Sequence, residues 1–130
     1  MICSILIVDD SPILRSAMAK VARLAGITNE CIFEAGNGRE ALDVLERVSI
    51  DLVLLDLNMP IMDGEAFAIE VQRHPAHSKT KIAVVSSEAN QARLERMQSL
   101  GAVHTLTKPF EPEDLCMVIT SLLGARQCAN

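Results

Sequence analysis

The sequence predicts an α/β fold, a doubly wound parallel sheet with helices on both faces. Short apolar runs rich in branched residues alternate five times with segments of helical periodicity, and polar residues collect just after the runs. A parallel strand reaches its neighbour only through a crossover, and a right-handed helical one satisfies both patterns.

The first strand is expected over residues 3–8 (CSILIV), an apolar run suited to a strand covered on both faces, and it ends at Asp9 and Asp10. Ser11 and Pro12 then read as a helix start, a hydroxyl cap followed by a proline where no backbone N–H is needed. Ile13, Leu14, Ala17, Met18, Val21 and Ala22 recur at helical spacing, and Gly26 stops the helix. A second strand is expected near residues 30–35 and a second helix over 38–48, with Ala41, Leu42, Leu45 and Val48 on its apolar face. Gly36-Asn37-Gly38 lacks the third glycine of a dinucleotide fingerprint and reads as the turn before that helix. The third strand is DLVLLD, residues 51–56, and the third helix covers about 64–73. After the polar loop HPAHSKT come a strand at 81–86, a helix at 90–100, a strand at 102–106 and a helix at 112–123. The polar tail ARQCAN, residues 125–130, is expected to fray.

Length and composition exclude several function classes. The chain has 130 residues, room for one core and no second domain, with 49% hydrophobic and 22% charged residues. No apolar stretch approaches the roughly 18 residues of a membrane span. The start, MICSILIVDD, has neither a basic leader nor a cleavage site, so a cytoplasmic protein is expected. A net charge of −5, from 17 acids and 12 bases without a basic run, argues against nucleic-acid binding. Cys3, Cys31, Cys116 and Cys128 show no CxxC spacing, so neither a metal cluster nor a disulfide framework is expected; Cys3 and Cys31 read as strand residues.

In an open α/β sheet, ligands bind beyond the carboxyl ends of the strands, where strand order reverses. Those ends carry Asp9 and Asp10, Asp56 and Asn58, Ser86 and Ser87, and Lys108 with Pro109. Three carboxylates about 5 Å apart repel by roughly 3 kcal/mol per pair at an effective dielectric of 20. A hard divalent cation offsets this, and Mg²⁺ suits a few oxygen ligands plus waters and a phosphate oxygen. With Lys108 adding positive charge, Asp56 is poised to attack phosphorus, and the Ser86 hydroxyl can hydrogen-bond the phosphoryl group once attached.

Asp9-Asp10, Asp56 followed by Asn58-Met59-Pro60 and Met62-Asp63-Gly64, Ser86, and Lys108-Pro109-Phe110 together resemble the receiver domain of bacterial two-component response regulators, over nearly the whole chain. The resemblance is to stand-alone, chemotaxis-type receivers. It implies a flavodoxin-like (βα)5 sandwich with strand order 2-1-3-4-5 and a receiver domain over residues 1–124, followed by the tail 125–130. Asp56 would be the phosphoacceptor, and Asp10, Asp56 and the backbone carbonyl of Asn58 would bind Mg²⁺, with Asp9 acting nearby through water. Lys108 and Ser86 would contact the phosphoryl group, and the Lys108-Pro109 bond would be cis. The donor would be a sensor histidine kinase or phosphotransfer protein. The protein would be a phosphoacceptor that catalyses its own phosphorylation, not a metabolic enzyme, and would signal through the face of the fourth helix, fifth strand and fifth helix.

Two positions bear on how such a signal is read and ended. Many receivers carry an aromatic residue three positions before the lysine; here it is Thr105, preceded by His104, which reads as an exposed strand residue. Asn58 and Glu88, two residues after Asp56 and Ser86, sit where the family tunes access of water to the acyl phosphate, and self-dephosphorylation without a partner is expected.

Each motif also has a plainer reading. Asp9 and Asp10 could merely favour a helix N-terminus, and Asn58-Met59-Pro60 could be only a loop. His74 and His77 read as solvated, Met18 and Met97 as apolar filler, and the polar fourth helix as a solvated face. Two other functions remain: a phospho-independent docking module, which the intact acidic set opposes, and an aspartyl-nucleophile phosphatase. The phosphatase needs a second acid for proton transfer where this chain has Asn58.

Overall fold

The computed structural model describes residues 3–124. Its elements are β1 (Ile5–Val8), α1 (Pro12–Leu24), β2 (Ile32–Ala35), α2 (Gly38–Arg47), β3 (Leu52–Leu55), α3 (Gly64–Arg73), β4 (Lys81–Ser86), α4 (Gln91–Ser99), β5 (Ala102–Thr107) and α5 (Pro112–Leu123). All four strand pairings are parallel, in the order β2-β1-β3-β4-β5. Strand order therefore reverses between β1 and β3, whose register sets Val8 beside Leu55.

The alternation along the strands explains why both faces are covered. Leu6, Val8, Val53, Leu55 and Val84 point to one side and pack with Ala41, Leu45, Phe67, Val71 and Met97 of α2, α3 and α4. Ile5, Ile7, Leu52, Leu54 and Val85 point to the other and pack with Met18, Val21, Ala22, Leu115 and Ile119 of α1 and α5. Met18 and Met97 are thus core residues, and Met97 is the one buried residue of α4.

Boundaries differ from expectation where local hydrogen bonding won. The first strand starts at Ile5, not at Cys3, although Cys3 is buried. A 3-10 turn, Asn29–Cys31, occupies the expected start of the second strand, so Cys31 is not a strand residue. The polar loop after α3 contains a second such turn, Pro75–His77, which begins at a proline. Cys3 and Cys31 are free thiols, and Cys128 lies outside the described residues. The tail 125–130 lies outside the described residues.

Side-chain caps aim helix starts at one edge of the sheet. Ser11, Asn37, Asp63 and Asn90 accept from the backbone N–H groups of Leu14, Glu40, Ala66 and Arg93 at 2.9–3.2 Å. The loop from β3 to α3 is pinned at both ends. Gly38 N–H donates to the Met62 carbonyl at 2.8 Å, and Gly64 N–H donates to the Leu57 carbonyl at 3.0 Å. A Cβ on Gly64 would run into the Asp56 carbonyl oxygen and lie 3.0 Å from Leu57 Cα, both backbone atoms. Gly64→Ala should therefore lose about 3 kcal/mol of stability, the upper end of overpacking, as measured by urea unfolding.

Candidate functional site

The site is built where the strands stop. Leaving β1, Asp9 N–H still donates to the Ala35 carbonyl, and leaving β3, Asp56 N–H donates to the Val8 carbonyl at 2.9 Å, so sheet bonding holds both backbones. Asp9 and Asp56 are buried, Asp10 is exposed, and one carboxylate oxygen from each lies within 4.8 Å of the others. Arg15 of α1 steadies the first loop, with Nη1 2.6 Å from the Asp9 carbonyl and Nε 3.1 Å from Glu34 Oε1.

Lys108 crosses the sheet from the end of β5. Its backbone N–H donates to the Ser86 carbonyl at 3.0 Å, and its bond to Pro109 is cis, as expected. Its ammonium is 2.6 Å from Asp9 Oδ2 and 3.7 Å from Asp56 Oδ2, so Asp9 is its nearer partner. Asp56 Oδ1 accepts from Leu57 N–H at 2.8 Å, which leaves Oδ2 turned toward Lys108. Burial pushes the Asp56 carboxyl above the ordinary carboxylate range against the pull of Lys108, and Asp9 adds to the rise. Ser86 is buried in the same environment; a hydrogen bond to Asp56 opposes that rise, and its Oγ accepts from Glu88 N–H at 3.2 Å.

The donor set fits Mg²⁺ by its chemistry. All three side chains offer hard carboxylate oxygens, and one ammonium leaves net negative charge among them. Asn58 is in the loop as expected, with its side-chain Oδ1 taken by Arg93 Nη1 at 2.6 Å.

Sequence reasoning missed Arg93 and Arg15. Arg93 lies in the first turn of a polar helix and also reaches Glu88, Leu57 and Asp63, none of which its position in the chain pairs with it. It also missed Ile61, a branched residue with φ of 69° that is 83% exposed. Its two neighbours are bridged by a 2.7 Å bond from Met62 N–H to the Pro60 carbonyl, a strained turn beside Asn58. His104 is exposed and Thr105 half-buried on β5, and His74 and His77 meet edge to face at 5.9 Å between ring centroids. Among the described residues, no helix is long and apolar enough to cross a membrane.

Residues 5–120 match the family model described as the response regulator receiver domain. The chain is 31% identical over 121 residues to a "Probable chemotaxis protein CheY" of Rhizobium etli, covering 93% of this chain and 92% of that one. It is 42% identical over 113 residues to a "Protein-glutamate methylesterase/protein-glutamine glutaminase" of Treponema pallidum, covering 85% of this chain and only 27% of that longer protein. The solved structure of the chemotaxis response regulator CheY4 of Vibrio cholerae superposes with a TM-score of 0.85 at 29% identity, over 95% of this chain and all of that one.

Proposed function

The chain belongs to the response regulator receiver family, and because it does, we propose that it takes a phosphoryl group onto Asp56 and changes its partner-binding surface in response. Phosphorylation-dependent signalling is the work of this family, and its receivers interact with histidine kinases or phosphotransfer proteins. The observation that carries the assignment to Asp56 is the meeting of its carboxylate with Asp9, Asp10 and Lys108 at the carboxyl edge of the sheet.

In this reading the ionised Asp56 Oδ2 forms a bond to phosphorus as the bond from phosphorus to the donor's histidine nitrogen breaks. The leaving imidazole keeps that electron pair. The Leu57 N–H fixes the carboxylate plane through Oδ1, so that Oδ2 points outward. Lys108 turns part of its charge from Asp9 to the phosphoryl oxygens, and the Ser86 hydroxyl donates to one of them. Asp10, Asp56 and the Asn58 backbone carbonyl would hold Mg²⁺, with Asp9 nearby through water; the ion supplies charge that offsets both the clustered carboxylates and the phosphoryl group.

The receiver domain would span residues 1–124, with the switch passing from Ser86 to the face of α4, β5 and α5, where the output protein binds. It would work in the cytoplasm as a phosphoacceptor without metabolic turnover. The methylesterase activity in the name of a longer relative belongs to a protein of which this chain matches about a quarter.

Incubation with Mg²⁺ and acetyl phosphate tests the proposal. The expected product is one acid-stable phosphate per chain, released by base or hydroxylamine and mapped to Asp56. An unlabelled protein, a label elsewhere, or multiple turnover of ordinary phosphomonoesters would overturn it.

A further inference from the structure

Arg93 occupies the gap between the two loops that border Asp56. Nη1 donates to Asn58 Oδ1 at 2.6 Å and to Glu88 Oε1 at 2.8 Å, and Nη2 donates to the Leu57 carbonyl at 3.3 Å. Nη2 also lies 3.7 Å from Asp63 Oδ2. One guanidinium thus ties the loop after β3 to the loop after β4. The remaining Glu88 oxygen, Oε2, accepts from Asn90 N–H at 3.0 Å. That backbone bond first, and Arg93 second, hold the Glu88 carboxyl below its ordinary range. Both Glu88 oxygens are therefore engaged, and so is the carbonyl of the Asn58 amide.

This matters for any nucleophile that must reach phosphorus on Asp56. The carboxylate lies at the floor of the site, nearly buried, so an attacking water comes in over the strand-end loops. In-line attack requires the water to approach from the side opposite the Asp56–phosphorus bond. Asn58 and Glu88 are polar side chains of these two loops, and Arg93 holds an oxygen of each. An isolated surface ion pair contributes little, but a guanidinium with four partners on two loops is a network with fixed geometry.

Resting on the reading of Asp56 as phosphoacceptor, we infer that Arg93 is a positioning residue that slows hydrolysis of the acyl phosphate by holding Asn58 and Glu88 together and away from the attacking water. The bridge acts as a brake on self-dephosphorylation. Its chemistry is ordinary hydrolysis: water oxygen bonds to phosphorus, the bond to Asp56 breaks, Asp56 recovers its carboxylate, and inorganic phosphate leaves with the water protons. Release of the bridge would free Glu88 Oε1 to accept a proton from that water and would open the gap through which the water enters.

The test is the decay of protein labelled with acetyl phosphate and Mg²⁺, followed after removal of the donor. Arg93→Gln should speed decay on the order of tenfold, below the hundredfold that a fully positioned acid–base group contributes. The same substitution in an Asn58→Ala/Glu88→Ala background should leave decay unchanged, which a general loosening of α4 would not produce. Decay that is unaltered or slower in Arg93→Gln overturns the inference, as does equal acceleration in both backgrounds. A wild-type chain that takes no label overturns the reading of Asp56 itself; a chain that labels normally but ignores Arg93 overturns the brake alone.

Discussion

An Asp56→Asn protein should take up no label from acetyl phosphate, falling to background, and should melt above wild type in EDTA. The first effect follows from the nucleophile, since an amide oxygen at that position cannot form a stable acyl phosphate. The second follows from electrostatics. Burial and the Asp9 carboxylate raise the Asp56 carboxyl above its unfolded value, with Lys108 opposing them. For an acid shifted upward, the associated stability is complete below the unfolded value of about 3.8 and is lost as pH rises through the folded value. At neutral pH the ionised group therefore weighs against the fold, and neutral asparagine of nearly the same shape removes that burden. The advantage should shrink as pH falls toward the unfolded value. Added Mg²⁺ should reverse the order, because a ligand bound only by the folded state stabilises in proportion to occupancy, and the variant has lost one ligand. Thermal melts in EDTA and in Mg²⁺ at two pH values check each part; an equal melting temperature in EDTA would count against the electrostatic account.

Lys108→Met should be the most destabilising of the charge substitutions at the site, by about 3 kcal/mol in EDTA. Asp9 is 1% exposed and its Oδ2 faces the Lys108 ammonium at 2.6 Å, so removing the ammonium strands a buried carboxylate with the Ser11 N–H on its other oxygen. Methionine keeps the apolar stem and isolates the loss of charge. Labelling should also slow roughly a hundredfold, the effect of deleting one group aimed at developing charge. Mg²⁺ should raise the melting temperature of this variant more than that of wild type, because the carboxylates then lack the Lys108 ammonium. Urea unfolding with and without Mg²⁺ separates the stability effect from the slower labelling. Equal Mg²⁺ responses would show that Lys108 and the metal do not share the carboxylates.

Much of the site could be read from the sequence because its residues are tied to regular elements. Asp9, Asp56, Ser86 and Lys108 each end or directly follow a strand whose apolar pattern is unambiguous. Their convergence then follows from parallel strands all ending on one edge. Gly36-Asn37-Gly38 was legible as a turn for a similar reason, with Asn37 capping α2, but the need for glycine at position 38 came from Met62, packed against it from another loop.

The sequence by itself determined the (βα)5 order, the two buried faces and the carboxyl edge on which the polar residues meet, since each depends on local periodicity and chain direction. Only the tertiary structure decided which partner Lys108 prefers and what Arg93 holds. Those depend on distances between loops separated by many residues: Arg93 meets Asn58 across 35 positions and Lys108 meets Asp9 across 99. A long charged side chain has several acids within reach of its rotamers, and the tertiary placement of the element that carries it, α4 for Arg93 and the end of β5 for Lys108, selects among them.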